Sequence, residues 1–263
     1  MNVGETSGIS LREEGEGLFR LTMSNPGKKN ALTLDMYRDF GATLKQLDGS
    51  DAVRCLVVQG ANGDFCAGSD IGGFDGNRSG LELAREYADF TVAMVRTLRD
   101  FRHPTVACIE GVCVGGGLEI ASVCDIRIAG NSARFGIPVN RIGITLDHAE
   151  LADLMAVIGR TATLEMLLEG RIFGAEEALR IGLVTRVVDD AAVVAEADAA
   201  SQRIARSAPL VNRWHKKFVR RLQQPGQLDE SEIAEAYACF ESEDYEIGRR
   251  SFAAKLRPNF VGR

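Results

Sequence analysis

Short stretches in which apolar residues alternate or run together predict β-strands at Ile9–Glu13, Leu18–Ser24, Arg54–Gly60, Thr105–Glu110 and Asp125–Ala129. Two longer stretches, Leu32–Leu47 and Leu81–Leu98, place apolar residues three and four apart, which predicts helices. A strand follows each helix, so the connections are longer than hairpins and the chain reads as α/β with a partly parallel sheet. From Ala191 the pattern turns helical: Ala191–Ala205, Leu210–Leu222, Glu230–Glu241 and Asp244–Ala254, with breaks such as Gln224-Pro225-Gly226. The expected division is therefore a core over 1–190 and a helical region over 191–263. Terminal helices that cannot bury every apolar face on one sheet predict a homo-oligomer, the alternative being packing within one chain.

Composition narrows the function classes. The 263 residues are 45% apolar, 26% charged and 6% aromatic, enough to build a substantial core without metal or disulfide support. A net charge of −6 argues against general affinity for nucleic acid or an anionic membrane and leaves any anionic ligand needing a local site. The first twenty residues carry Glu5, Glu13, Glu14 and Glu16 and no basic segment before an apolar run, so no targeting peptide is expected there. Glu110 and Glu119 interrupt the longest apolar stretch, so no membrane span is expected and cytoplasmic localisation is the default. The six cysteines contain no CxxC pair and the three histidines are scattered, so no metal site is expected and the cysteines read as small buried residues.

The chemistry starts at two glycine-bearing turns that each follow a predicted strand, Phe65-Cys66-Ala67-Gly68-Ser69-Asp70 and Gly111-Val112-Cys113-Val114-Gly115-Gly116-Gly117-Leu118-Glu119. Three consecutive glycines opening a helix let backbone N–H groups and the positive helix end face a ligand, a design suited to a developing oxyanion. A tight packed turn is the plainer explanation for one such cluster; two of them favour the ligand reading. Neither turn has the spacing of a nucleotide-binding loop, and no GxSxG context supports a serine nucleophile at Ser69.

Asn25-Pro26-Gly27-Lys28-Lys29-Asn30-Ala31-Leu32, then FCAGSDI, then GVCVGGGLEIASVCDIRIA resemble, in order and spacing, the enoyl-CoA hydratase/isomerase (crotonase) superfamily. Ala133-Arg134-Phe135-Gly136, Gly182-Leu183-Val184 and Ser242-Glu243-Asp244 with Phe252, Lys255, Pro258 and Phe260 resemble its later landmarks, so the likeness covers nearly the whole chain. It implies a crotonase-like ββα spiral core with a C-terminal helical oligomerisation region, assembled as a homotrimer or homohexamer. It further implies an enzyme with no permanent cofactor, acting on an acyl-CoA thioester whose coenzyme A is part of the substrate. The scaffold hosts hydratases, isomerases, hydrolases, decarboxylases and a dehalogenase, so the resemblance does not choose the reaction.

By the same resemblance, the backbone N–H groups of Ser69 and Gly116 form an oxyanion hole. Lys29, Ala31, Ala67, Asp70, Ile71 and Gly115 are expected near the coenzyme A or acyl chain, and Phe252 and Lys255 are expected from a neighbouring subunit. Glu119 matches one of the two glutamates with which hydratases activate water, although an acid in a first helical turn is also favoured by the helix dipole. At the position of the second glutamate stands Val139, which lines the substrate site but carries no proton. Eight residues later comes Asp147, where dienoyl-CoA isomerases of the family have an aspartate. It either restores a carboxylate pair with Glu119 or caps a helix over Ala149–Val157. The readings carried forward are an enoyl-CoA hydratase or isomerase, a dienoyl-CoA isomerase or acyl-CoA hydrolase using Glu119 and Asp147, and an acyl-CoA binding relative without activity.

Overall fold

The computed structural model describes residues 6–70, 72 and 80–263, so Ile71 lies outside the described residues. The five strands expected from sequence are all present, as β1 (Gly8–Gly15), β2 (Leu18–Ser24), β3 (Cys55–Gly60), β4 (Thr105–Ile109) and β6 (Ile126–Gly130). Four short strands escape periodicity, because two or three residues cannot display one: β5 (Val112–Val114), β7 (Arg134–Gly136), β8 (Phe173–Gly174) and β9 (Arg186–Val188). β5 lies inside what reads from sequence as a glycine turn.

The helices are α1 (Leu34–Asp48), α2 (Leu81–Asp100), α3 (Gly116–Val123), α4 (His148–Glu169), α5 (Ala175–Arg180), α6 (Val193–Ala205), α7 (Pro209–Leu222), α8 (Glu230–Glu235) and α9 (Glu243–Ala254). The helix expected over Ala149–Val157 continues to Glu169, broken at Gly159, whose φ of 73° and ψ of 168° leave the helical region. The helix expected over Glu230–Glu241 divides into α8 and a 3-10 turn, Ala238–Glu241. A capping box between Asp229 and Glu232 starts it, but Ile233 and Tyr237 remain 50% and 65% exposed, so no buried face prolongs it.

A six-stranded sheet has the order β1-β2-β3-β4-β6-β9, parallel throughout except for the β1/β2 hairpin. A small sheet, β5-β7-β8, runs beside it. The chain passes from the large sheet to the small one at β4 to β5 and again at β6 to β7, and an isolated bridge, Cys66↔Cys113, marks the same step one turn earlier. That repetition is the ββα spiral, and it brings the segments after β3, β4 and β6 to one end of the molecule.

Both faces of β3 are buried, which is why it reads as a continuous apolar run and not as an alternation. Leu56 and Val58 face the main core with Phe40, Phe65, Leu98 and Leu118. Cys55 and Val57 face the other way, against Val193, Ala197 and Ala200 of α6. α6 thus covers the second face of the sheet, while α7 is tied to the body by Lys216, whose Nζ donates to Asp125 at 2.8 Å and to the His103 carbonyl at 3.0 Å.

His103 is 1% exposed, and among the described residues neither ring nitrogen has a hydrogen-bond partner. Burial first, then the nearby Arg102 and Arg213 charges, push its pKa down to about 4. The unfolded chain takes up this proton near pH 6.5 and the folded one only near 4, so stability present above pH 6.5 drains away between those values. The loss reaches about 3 kcal/mol at 1.4 kcal/mol per pKa unit. Urea unfolding across pH 7 to 4 is expected to move the difference between wild type and His103→Leu by that amount in the variant's favour; a constant difference would contradict the assignment.

Candidate functional site

The two glycine turns are stitched into one structure. Cys66 N–H donates to the Val112 carbonyl at 2.8 Å, Val114 N–H donates back to Cys66 at 3.0 Å, and Gly115 N–H donates to Gly136 at 2.9 Å. Gly117 lies so close that any Cβ there would overlap the Cys66 carbonyl oxygen. The other side is held by the 29–32 segment: Ala67 N–H donates to Lys29 at 2.9 Å, Leu32 N–H to Gly68 at 2.7 Å and Asp70 N–H to Leu32 at 2.9 Å.

These constraints put the start of α3 against Ser69. A Cβ added at Gly116 would stand 3.7 Å from the Ser69 nitrogen, and one at Gly68 would stand 3.0 Å from the Gly116 nitrogen. Neither the Ser69 nor the Gly116 N–H forms a hydrogen bond among the described residues. Both residues border a cavity of about 550 Å³, with Glu119 beside them on the first turn of α3. Chemically this is a pair of converging donors next to a carboxylate, in a pocket large enough for an acyl chain.

Of the residues singled out by sequence, Ala67, Ser69, Gly115, Gly116, Glu119, Val139 and Asp147 line this cavity. Lys29, Ala31 and Asp70 do not line it; they belong to the paired 29–32 and 67–70 segments at its edge. Asp70 is held by Lys28, at 2.6 Å, and this partner keeps its carboxyl below the usual range. Phe252 and Lys255 lie on and just beyond α9, outside the cavity lining, with Phe252 88% exposed.

Asp147 is the N-cap of α4. Its Oδ1 accepts the Glu150 N–H at 2.8 Å while Glu150 Oε2 accepts the Asp147 N–H at 2.7 Å, a complete capping box. Its Oδ2 lies 4.0 Å from the Arg96 guanidinium. The capping alternative is therefore realised, on the wall of the cavity.

Sequence reasoning did not single out Tyr37 or Glu150. Tyr37 is 2% exposed and its Oη lies 3.0 Å from Ser69 Oγ. Burial, more than the nearby Cys66 and Glu119, raises its pKa well above the ordinary phenol range, so it remains a neutral hydrogen-bonding wall. Nothing in the pattern of α1 distinguishes it from a core aromatic. Glu150 had a readable signal, the Asp147-His148-Ala149-Glu150 spacing of a capping box. Cys66, beside the site, is pushed up to about 12 by burial and is no thiolate nucleophile at neutral pH.

A second cavity, about 610 Å³, lies between α7 and the far ends of α2 and β6, but it contains none of the glycine-turn donors. Among the described residues, no group of three or more His, Cys, Asp or Glu is arranged to hold a metal ion, and no helix is long and apolar enough to cross a membrane.

The enoyl-CoA hydratase/isomerase family model matches residues 13–263. The chain is 31% identical over 258 residues to a crotonyl-CoA hydratase of Syntrophomonas wolfei, covering 96% of this chain and 98% of that one. It is 29% identical to a short-chain-enoyl-CoA hydratase of Clostridium acetobutylicum, covering 96% and 97%. Among solved structures, an enoyl-CoA hydratase/carnithine racemase from Magnetospirillum magneticum superposes with a TM-score of 0.96 at 39% identity, covering 98% of this chain and 97% of that one.

Proposed function

The chain belongs to the enoyl-CoA hydratase/isomerase family, and from that premise we propose that it adds water to an enoyl-CoA, with Ser69 and Gly116 holding the thioester oxygen and Glu119 activating the water. The observation that carries this reading is the pair of backbone N–H groups, free of other hydrogen bonds among the described residues, beside Glu119 in one cavity. As electron density moves onto the thioester oxygen in an enolate-like transition state, both hydrogen bonds strengthen, and a donor of this kind is worth about 3 to 4 kcal/mol of barrier. Because both donors are backbone groups, the Ser69 hydroxyl takes no part; it is engaged with Tyr37.

The same reading puts coenzyme A along Lys29, Ala31, Ala67, Asp70, Ile71 and Gly115, with Val139 against the acyl portion. Phe252 and Lys255 reach it from a neighbouring copy in a homotrimer or homohexamer. Phe252 and Leu256, 88% and 70% exposed, support that assembly, in which 191–263 is the association region. The organisation fits a cytoplasmic enzyme.

Asp147 on the cavity wall favours a second reading, dienoyl-CoA isomerisation or thioester hydrolysis with Glu119 and Asp147 as the carboxylate pair. Its capping bond weighs against that. Loss of the conjugated thioester absorbance when protein meets crotonyl-CoA tests hydration, and reaction confined to a dienoyl-CoA would transfer the role to Asp147.

A further inference from the structure

Val139 leaves the hydration reading one proton donor short, and the structure offers a substitute that is neither Val139 nor Asp147. Resting on that reading, we infer that Glu150 is the second proton-transfer group of the site and that it shares one proton with Glu119. Both residues line the 550 Å³ cavity, and both also border a void of about 10 Å³ behind it. That void is the size of one water molecule. Its remaining wall is mostly apolar, Val95, Val123, Ile137, Leu146 and Leu154, with Ser122 and a third carboxylate, Asp153, and in such a surround negative carboxylates repel strongly. The pair therefore keeps a proton between them, one member acid and the other base at neutral pH.

The other charged groups that line the cavity or the void are Asp147, Asp153 and Arg141. Asp147 spends Oδ1 on the helix cap and turns Oδ2 toward Arg96. Asp153, one turn further along α4, also touches the void; it is paired with Arg99 at 3.4 Å, yet burial outweighs that pair and raises its carboxyl above the usual range. Arg141, from the 3-10 turn after Pro138, faces the open cavity and does not border the void. Glu150 itself is held in place by the Asp147 N–H on Oε2, so its carboxyl is positioned at the start of α4.

The step balances with water as the co-reactant. Ionised Glu119 removes a proton from water as the oxygen bonds to Cβ of the enoyl group. The Cα=Cβ electron pair moves onto the thioester oxygen between Ser69 and Gly116. Neutral Glu150 then delivers its proton to Cα as the enolate collapses, and the proton gained by Glu119 returns to Glu150 through the void. One water has been added and both carboxyls regain their starting states.

The test uses the whole 263-residue chain and its Glu150→Gln variant, since glutamine keeps the capping-box acceptor and thereby the fold. The expected result is a fall in kcat on crotonyl-CoA of roughly a hundredfold or more with KM nearly unchanged, and loss of one limb of the pH–rate profile. In parallel, carbon-13 NMR titration of labelled glutamates is expected to show two coupled steps in wild type, and a single uncoupled step for Glu119 in Glu150→Gln. Wild-type kcat in Glu150→Gln overturns the catalytic role of Glu150 and leaves hydration standing. Independent, ordinary titrations of both glutamates overturn the shared proton. Coupled titration in a protein inert to every enoyl-CoA instead overturns the hydration reading, while the shared proton survives.

Discussion

Glu119→Gln is expected to lower kcat for crotonyl-CoA by roughly a hundred to ten thousand fold, with acyl-CoA affinity changed little. Glutamine preserves size and hydrogen bonding but cannot take a proton from water. The backbone donors at Ser69 and Gly116, and the cavity around them, are untouched by the change. Stopped-flow decay of the conjugated thioester band gives kcat, and equilibrium titration with a saturated acyl-CoA gives affinity. Full activity in the variant would remove Glu119 from the proton chemistry.

Gly117→Ala is expected to destabilise the protein by about 3 kcal/mol and to depress turnover as well. The added methyl would overlap the carbonyl oxygen of Cys66, a backbone atom that no rotamer change can move aside. Cys66 is also bonded to Val112 and Val114, so relief requires one glycine turn to shift against the other. That shift displaces Gly116 from Ser69, and misplacement of about 1 Å costs on the order of a hundredfold in rate. The paired observation is a lower midpoint in urea together with a lower kcat in the fraction that remains folded. A variant with wild-type stability would show that the turns do not interlock.

The long elements were legible because their burial is regular. α1 buries Met36, Phe40, Leu44 and Leu47, at helical spacing, and β3 buries both faces in one apolar run. The small sheet was not legible, because β5, β7 and β8 are two or three residues long and gain their order from stacking in the spiral. The glycine triplet announced close backbone approach, but what approaches Gly117, the Cys66 carbonyl, is far away in sequence and appears only in the fold. Asp147 illustrates a different limit. Its residue type fits a cap and a catalyst equally, and the bond to the Glu150 N–H that makes it a cap is visible only in the fold. An acid at the third position of a helix has an ordinary structural explanation, so nothing in the sequence marks Glu150 as part of the site. Its place on both the cavity and the void is a property of how α4 packs beside α3.

The central claim is that two backbone N–H groups polarise the thioester carbonyl, and the carbonyl itself reports it most directly. Difference infrared spectroscopy of a carbon-13-labelled acyl-CoA bound to the protein isolates that stretch. The account predicts a shift to lower frequency on binding, because hydrogen bonds from Ser69 and Gly116 draw charge onto the oxygen and weaken the C=O bond. A fully bound thioester whose carbonyl band stays where it lies in water would contradict it.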